Sequence, residues 1–205
     1  MRRIYLLSSA LFVAMVFWVS SALAEPVLHM DVAGYPPGTT EITVNVGDYI
    51  TFNLYLTDVP KIGPGEHDYD YGLIAWYHDI LLDPLVDEVQ ATWNPIWEGG
   101  YKRLLPPTAP HTELELNAYH MTRGYWGEVP LAEITMHCAG FGETIITQAW
   151  HFAEGFNFML ADGSDFTPIL EPLSIHINQV PIPTTLLLLG SGIIGVIGLR
   201  RKIQG

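Results

Sequence analysis

Thr40-Glu41-Ile42-Thr43-Val44-Asn45-Val46-Gly47-Asp48-Tyr49-Ile50-Thr51-Phe52-Asn53-Leu54-Tyr55-Leu56-Thr57 reads as two strands and the turn between them. Ile42, Val44 and Val46 face one way, Thr43 and Asn45 the other. Gly47-Asp48 makes the turn, and Ile50, Phe52, Leu54 and Leu56 then alternate with Thr51, Asn53, Tyr55 and Thr57. A period of two is the signature of a strand with one buried face. The same alternation recurs at Leu114, Leu116 and Ala118 against Glu113, Glu115 and Asn117. It returns at Leu173, Ile175 and Ile177 against Ser174, His176 and Asn178. Residues 71–82 are apolar on both faces and read as a central strand followed by an irregular exit. Pro36-Pro37-Gly38, Gly63-Pro64-Gly65, Pro106-Pro107 and Asp162-Gly163 punctuate the chain as turns or loops. No long helical period and no internal repeat lies between them. The expectation is all-β: an antiparallel β-sandwich or jelly roll, each sheet wet on one side.

The two ends read differently. Met1-Arg2-Arg3 is basic, residues 4–19 are almost unbroken apolar, and small residues stand at Ala22 and Ala24 before Glu25-Pro26. That is the layout of a secretory signal, residues 1–24, cut by signal peptidase after Ala24. At the other end Val180-Pro181-Ile182-Pro183-Thr184-Thr185 leads into an apolar run closed by Arg200-Arg201-Lys202. Residues 184–199 make 16 residues, about 24 Å as a helix. A bilayer core of about 30 Å accommodates such a transmembrane helix by local thinning. The basic tail at 200–202 should stay cytoplasmic. The expectation is an exported domain, residues 25–179, held at the inner membrane by residues 180–205.

This tail resembles the PEP-CTERM sorting signal of exosortase-bearing Gram-negative bacteria. The resemblance rests on Val180, Pro181, Pro183, the Leu- and Gly-rich run and the Arg200-Arg201 cluster, with Ile182 where the family usually has Glu. It implies processing by an exosortase-type sorting enzyme. It also implies a location at the inner membrane in transit, then at the cell surface or in the extracellular matrix of a Gram-negative bacterium.

Residues 25–179 hold all 22 acidic residues of the chain, but only Lys61, Lys102, Arg103 and Arg123 among the basic ones, a formal charge of −18. Phosphate recognition needs Lys and Arg, so nucleic acid is excluded as a partner. Cys138 is the single cysteine, so no intramolecular disulfide forms. Alternation puts it with Ala132, Ile134 and Met136 on a buried face, where it acts as a small hydrophobe.

Three segments resemble cohesin-like domains. They are Val44-Asn45-Val46-Gly47-Asp48-Tyr49-Ile50-Thr51-Phe52, the stretch from Tyr69 to His78 with Asp79 following, and the stretch from Leu131 to Ile146. The resemblance implies a non-catalytic jelly roll related in fold to carbohydrate-binding modules, and a dockerin-like protein as one kind of partner.

Asp68 with Asp70, and Asp162 with Asp165, have the oxygen spacing of calcium loops, though such pairs also arise in solvated loops of an acidic domain. No cofactor is expected apart from that Ca²⁺ reading. Eight histidines include no His-x-His or His-Glu-x-x-His, so no zinc site is expected. Trp93, Trp97, Tyr101, Tyr125 and Trp126, with Tyr119, crowd one region. Exposed, they would stack on sugar rings; buried, they would fill the core, the reading that large rings favour. No catalytic motif or paired carboxylate across a cleft is evident, so no enzyme activity is expected. The sequence thus points to an exported, surface-anchored or surface-released binding module associated with extracellular polysaccharide or matrix. The alternatives are a carbohydrate-binding module proper and a cohesin-type scaffold for protein–protein assembly.

Overall fold

The structure, a computed structural model, describes residues 24–63, 71–108, 111–121, 123–149 and 158–181. The expected signal residue Ala22, the acidic pair Asp68 and Asp70, the sorting residues Pro183, Arg200 and Arg201, and the span 184–199 lie outside the described residues. Thirteen strands are described: β1 (Val27–Val32), β2 (Glu41–Asn45), β3 (Tyr49–Val59), β4 (Leu73–Leu82), β5 (Val86–Trp93), β6 (Gly99–Thr108) and β7 (His111–Tyr119). They continue with β8 (Gly127–Cys138), β9 (Gly142–Ala149), β10 (Phe158–Leu160), β11 (Asp165–Phe166), β12 (Ile169–Glu171) and β13 (Ser174–Val180).

Two sheets face each other. One runs β12-β1-β3-β8-β5; the other holds eight strands along β11-β10-β4-β9-β13-β2, with β7 and then β6 on the far side of β4. The alternating residues point where their periodicity placed them. Phe52, Leu54 and Leu56 meet Leu28, Met30 and Ile134 from the first sheet, and Ile80, Leu114, Leu116, Ile146, Ile175 and Ile177 from the second, all buried. Each such side chain contributes about 1.5–3 kcal/mol on burial. Cys138 is fully buried, and desolvation pushes its thiol up to about 11.

β4 is the central strand expected from its double-sided apolar pattern, bonded to β7, β9 and β10. Two expectations need correction. The sheets are mixed rather than purely antiparallel, because β12 runs parallel to β1 and β13 parallel to β2. The paired segments β1–β2 and β12–β13 both cross from one sheet to the other, side by side in the same direction. Alternation fixes which face a residue takes, not which way its neighbour runs. Pro106-Pro107 also lies within β6, an edge strand, where a missing N–H is tolerated, and the register shifts between Leu105 and Thr108.

Strand direction gives the sandwich two distinct poles. β13 ends at Val180 beside the β2–β3 turn, where the Val46 N–H donates to the Val180 carbonyl at 2.9 Å. The β8–β9 and β4–β5 turns join it there, as the Ala139 N–H donates to the Leu85 carbonyl at 2.9 Å. At the opposite pole the start of β4 meets the segment before β8. Leu73 and Tyr125 exchange N–H···O bonds of 2.6 and 2.9 Å, and the Gly72 N–H donates to the Ile62 carbonyl.

Candidate binding surface opposite the chain exit

Of the aromatic residues singled out from the sequence, all but Tyr101 gather at this opposite pole, and Trp93, Trp97 and Tyr125 point inward. Trp97 is 7% exposed and stands edge-on to Trp76 and Tyr125, with centroids 6.3 and 5.6 Å away. Its Nε1 donates to the Pro130 carbonyl at 3.0 Å. Tyr125 is half-buried, edge-on to His120, and its hydroxyl donates to the Ile96 carbonyl at 3.2 Å. Trp93 packs on the core and donates from Nε1 to the Asn117 carbonyl at 2.7 Å. A chain of rings therefore runs from the core to the surface and fixes the loops that end there.

What reaches solvent is a smaller set. Trp126 is 38% exposed, and the Lys61 ammonium sits over its ring at 4.6 Å and over Tyr71 at 5.3 Å. Such cation–π contacts stabilise by about 0.5–1 kcal/mol at exposed sites. Ile62, Tyr119 and Met121 are also exposed here, and the Met121 N–H donates to Glu98 Oε2 at 3.0 Å. The close approach of the two backbones beneath Trp126 requires glycine. Gly72 has φ +86°, and a Cβ there would fall 2.1 Å from the Tyr125 carbonyl oxygen. A shallow depression of about 400 Å³ opens on the outer face of the five-stranded sheet, lined by Asn53, Tyr55, Trp93, Asn94, Glu128 and Glu133.

Tyr101 lies apart from this cluster. It is on the outer face of the eight-stranded sheet, where its hydroxyl donates to the Tyr77 hydroxyl at 3.2 Å. That face holds residues the sequence reading did not single out as a site: Asp79 and Glu115 stand directly opposite each other on β4 and β7, both buried. Arg103 approaches Glu115 at 3.9 Å. Burial, the Tyr101 hydrogen bond and these two carboxylates push the Tyr77 phenol well above its ordinary range. The signal available in the sequence was an acid, Asp79, inside an otherwise apolar run.

The remaining candidates resolve into local roles. Asp162 turns the chain between β10 and β11, accepting from the Ser164 N–H at 2.9 Å and from its hydroxyl. Those bonds hold the carboxyl below its ordinary range. Asp165 begins β11 with its side chain exposed. Among the described residues, no group of three or more His, Cys, Asp or Glu is placed to hold a metal ion. At the chain exit, Val180 is paired with Asn45, and Pro181 follows on the surface. Ala24 precedes β1 and is exposed.

Comparison with known proteins bears on the two parts separately. Residues 179–202 match the PEP-CTERM protein-sorting motif, so the resemblance read from Val180 to Lys202 is borne out. Among solved structures, the chain is similar to a non-cellulosomal cohesin from the archaeon Archaeoglobus fulgidus, at 8% identity over 77% of this chain and 92% of that one, with a TM-score of 0.49. It is also similar to a type III cohesin module from a cell-surface anchoring scaffoldin of Ruminococcus flavefaciens, at 14% identity over 80% and 91%, TM-score 0.47. A type II cohesin domain from the cellulosome of Acetivibrio cellulolyticus gives 11% identity over 75% and 95%, TM-score 0.45. No curated protein matches the chain. The described residues thus form a two-sheet β-sandwich that leads into a PEP-CTERM sorting motif.

Proposed function

We propose that this chain is an exported display module whose sandwich binds another protein while its tail passes through a membrane on the way to sorting. The sorting motif supports export and membrane anchoring before a sorting enzyme acts. The observation that carries the display reading is the polarity of the fold. The strand leading into the sorting motif ends at one pole, and the aromatic cluster around Trp126 sits at the other, facing away from any membrane that holds the tail.

Protein is preferred over polysaccharide as the ligand because the rings do not form an open platform. Trp93, Trp97 and Tyr125 are packed inward, and Lys61 lies over the Trp126 ring. An exposed aromatic with a cation over it, at a pole that also exposes Met121 and Ile62, suits a protein interface, where aromatic anchors dominate. A dockerin-like partner is the specific form implied by the cohesin resemblance of the three sequence segments. The second reading, association with exopolysaccharide through Trp126, is favoured by its exposure alone. Calcium at Asp162 and Asp165 would accompany either reading only if other ligands complete the set.

The test is direct binding of the full chain and of Trp126→Ala to fractionated secretome proteins and to a glycan array. Saturable binding to one protein, weakened at least tenfold by the substitution, supports the proposal. Glycan binding lost on the substitution would establish the second reading instead. Binding unaffected by Trp126→Ala would move the interface elsewhere, with the outer face bearing Tyr101 and Arg103 the next place to examine.

A further inference from the structure

The sorting motif and the folded domain overlap. Gln179 and Val180 open the matched segment, yet they are the last two residues of β13. Gln179 is buried, and its Nε2 donates to Thr144 Oγ1 at 2.7 Å and to the Leu85 carbonyl at 3.3 Å. Only residues 181–183 separate this strand from the expected membrane span at 184–199. The four residue steps from Val180 to Thr184 reach at most about 14 Å. The interfacial layer on each side of a bilayer is itself about 5–8 Å thick. There is no length for a stalk, so with the run at 184–199 in a membrane the exit pole stays within about 10 Å of the headgroup surface, roughly one large side chain away.

That pole presents an aromatic ring. Phe141 is 70% exposed at the tip of the β8–β9 hairpin, and the register pairs the next residue, Gly142, with Gln179. Phe141 therefore stands beside the chain exit at the level of Val180. Gly140 lets the hairpin seat on the β4–β5 turn, since a Cβ there would come within 2.5 Å of Leu85 Cδ2. Tyr49, the first residue of β3, is 58% exposed, and its hydroxyl donates to Glu88. Among the described residues, the turns and strand ends at this pole carry the acids Asp48, Asp83, Asp87, Glu88 and Glu143, with His137 bonded to Asp87 and His176 to Glu143.

We propose that, while the tail is held in the membrane, this pole rests on the lipid surface, with the Phe141 ring in the interfacial layer and the surrounding carboxylates at headgroup level. The inference rests on the membrane-tail reading given above. The carboxylates keep the contact shallow and repel an anionic leaflet, so the short tether, not adhesion, keeps the pole seated. Seated this way, the sandwich stands upright and the Trp126 pole is the surface furthest from the membrane.

The test uses the full chain in lipid nanodiscs of phosphatidylethanolamine and phosphatidylglycerol that carry a headgroup spin label. A fluorophore is placed by thiol chemistry at Phe141→Cys, or at Met121→Cys on the opposite pole. Cys138 is fully buried with its thiol pushed up to about 11, so it does not compete for the label. Quenching several-fold stronger at position 141 than at 121 is expected. A flexible Gly-Ser segment of about twelve residues inserted after Pro181 adds roughly 20 Å of reach, and should bring position 141 down to the level of 121. A chain that stays with the discs but shows equal quenching at both positions, or quenching at 141 that survives the insertion, overturns the proposal. So does self-quenching at 141 that grows with protein density, which would place a second copy on this pole. A chain that never enters the discs overturns the membrane-tail reading and this inference together.

Discussion

Replacing Trp97 with alanine separates a core role from a binding role at the aromatic pole. Trp97 is 7% exposed, edge-on to Trp76 and Tyr125, and anchored by its Nε1 bond to the Pro130 carbonyl. Truncating a buried Trp to alanine costs about 3–5 kcal/mol. Trp126→Ala loses the Lys61 contact, about 0.5–1 kcal/mol, and part of a ring already 38% exposed. Its total is about 1–2 kcal/mol at the usual value per area. Urea unfolding followed by far-ultraviolet circular dichroism avoids the loss of the tryptophan signal. With a slope of about 2 kcal/mol per molar urea, Trp97→Ala should lower the midpoint by about 1.5–2.5 M and Trp126→Ala by less than about 1 M. Trp97→Phe keeps one six-membered ring but loses the donor to Pro130 and part of the buried indole, so its cost should fall below that of Trp97→Ala, at about 2 kcal/mol. Equal midpoints for Trp97→Ala and Trp126→Ala, or the reverse order, would refute the assignment of Trp97 to the core.

Further outcomes are expected at four positions. His78 is fully buried, and desolvation lowers its pKa to about 3 against a Gln148 hydrogen bond that raises it. The unfolded chain, with its histidine near pH 6.5, therefore binds more protons between about pH 3 and 6.5, and stability falls as pH drops through that window. His78→Gln should flatten the fall in unfolding free energy, from urea titrations between pH 7 and 4, by up to about 1.4 kcal/mol per pH unit; an unchanged slope counts against a neutral buried histidine. Gly72→Ala should cost about 3–5 kcal/mol, because its Cβ collides with the Tyr125 carbonyl and disturbs the paired bonds at Leu73. Gly163→Ala, also at positive φ but in open space, should cost about 1 kcal/mol; similar thermal midpoints for the two variants would remove the close approach as the cause. Tyr55, pushed up to about 12 by burial and its bond to Asp31, should show no phenolate absorbance below about pH 11 until the domain unfolds.

The faces of the strands were legible because a half-buried strand writes its burial into every second residue. Phe52, Leu54, Leu116 and Ile177 are inside, as their neighbours' polarity required. Leu173, expected to share the inward face, is 58% exposed because β13 starts one residue later. Strand direction was not legible, since the parallel pairings of β1 with β12 and β2 with β13 leave the same alternation. The site was legible only as composition. Trp97 and Trp126 look alike in sequence, and what separates them is the Asn94–Glu98 turn that tips one ring into the core. Asp79 opposite Glu115 needed the register of β4 on β7, which no local pattern contains. The sorting motif was readable without any structure, because hydrophobic length and terminal charge define it.

The intact mass of the protein from its native host, measured in each cell fraction, tests the central account most directly. An exported display module predicts a chain beginning at Glu25, recovered from membrane or surface fractions, with a membrane-bound form that keeps Arg200-Arg201-Lys202 and a sorted form that has lost them. A soluble cytosolic chain that still begins at Met1 and keeps its full tail would contradict it.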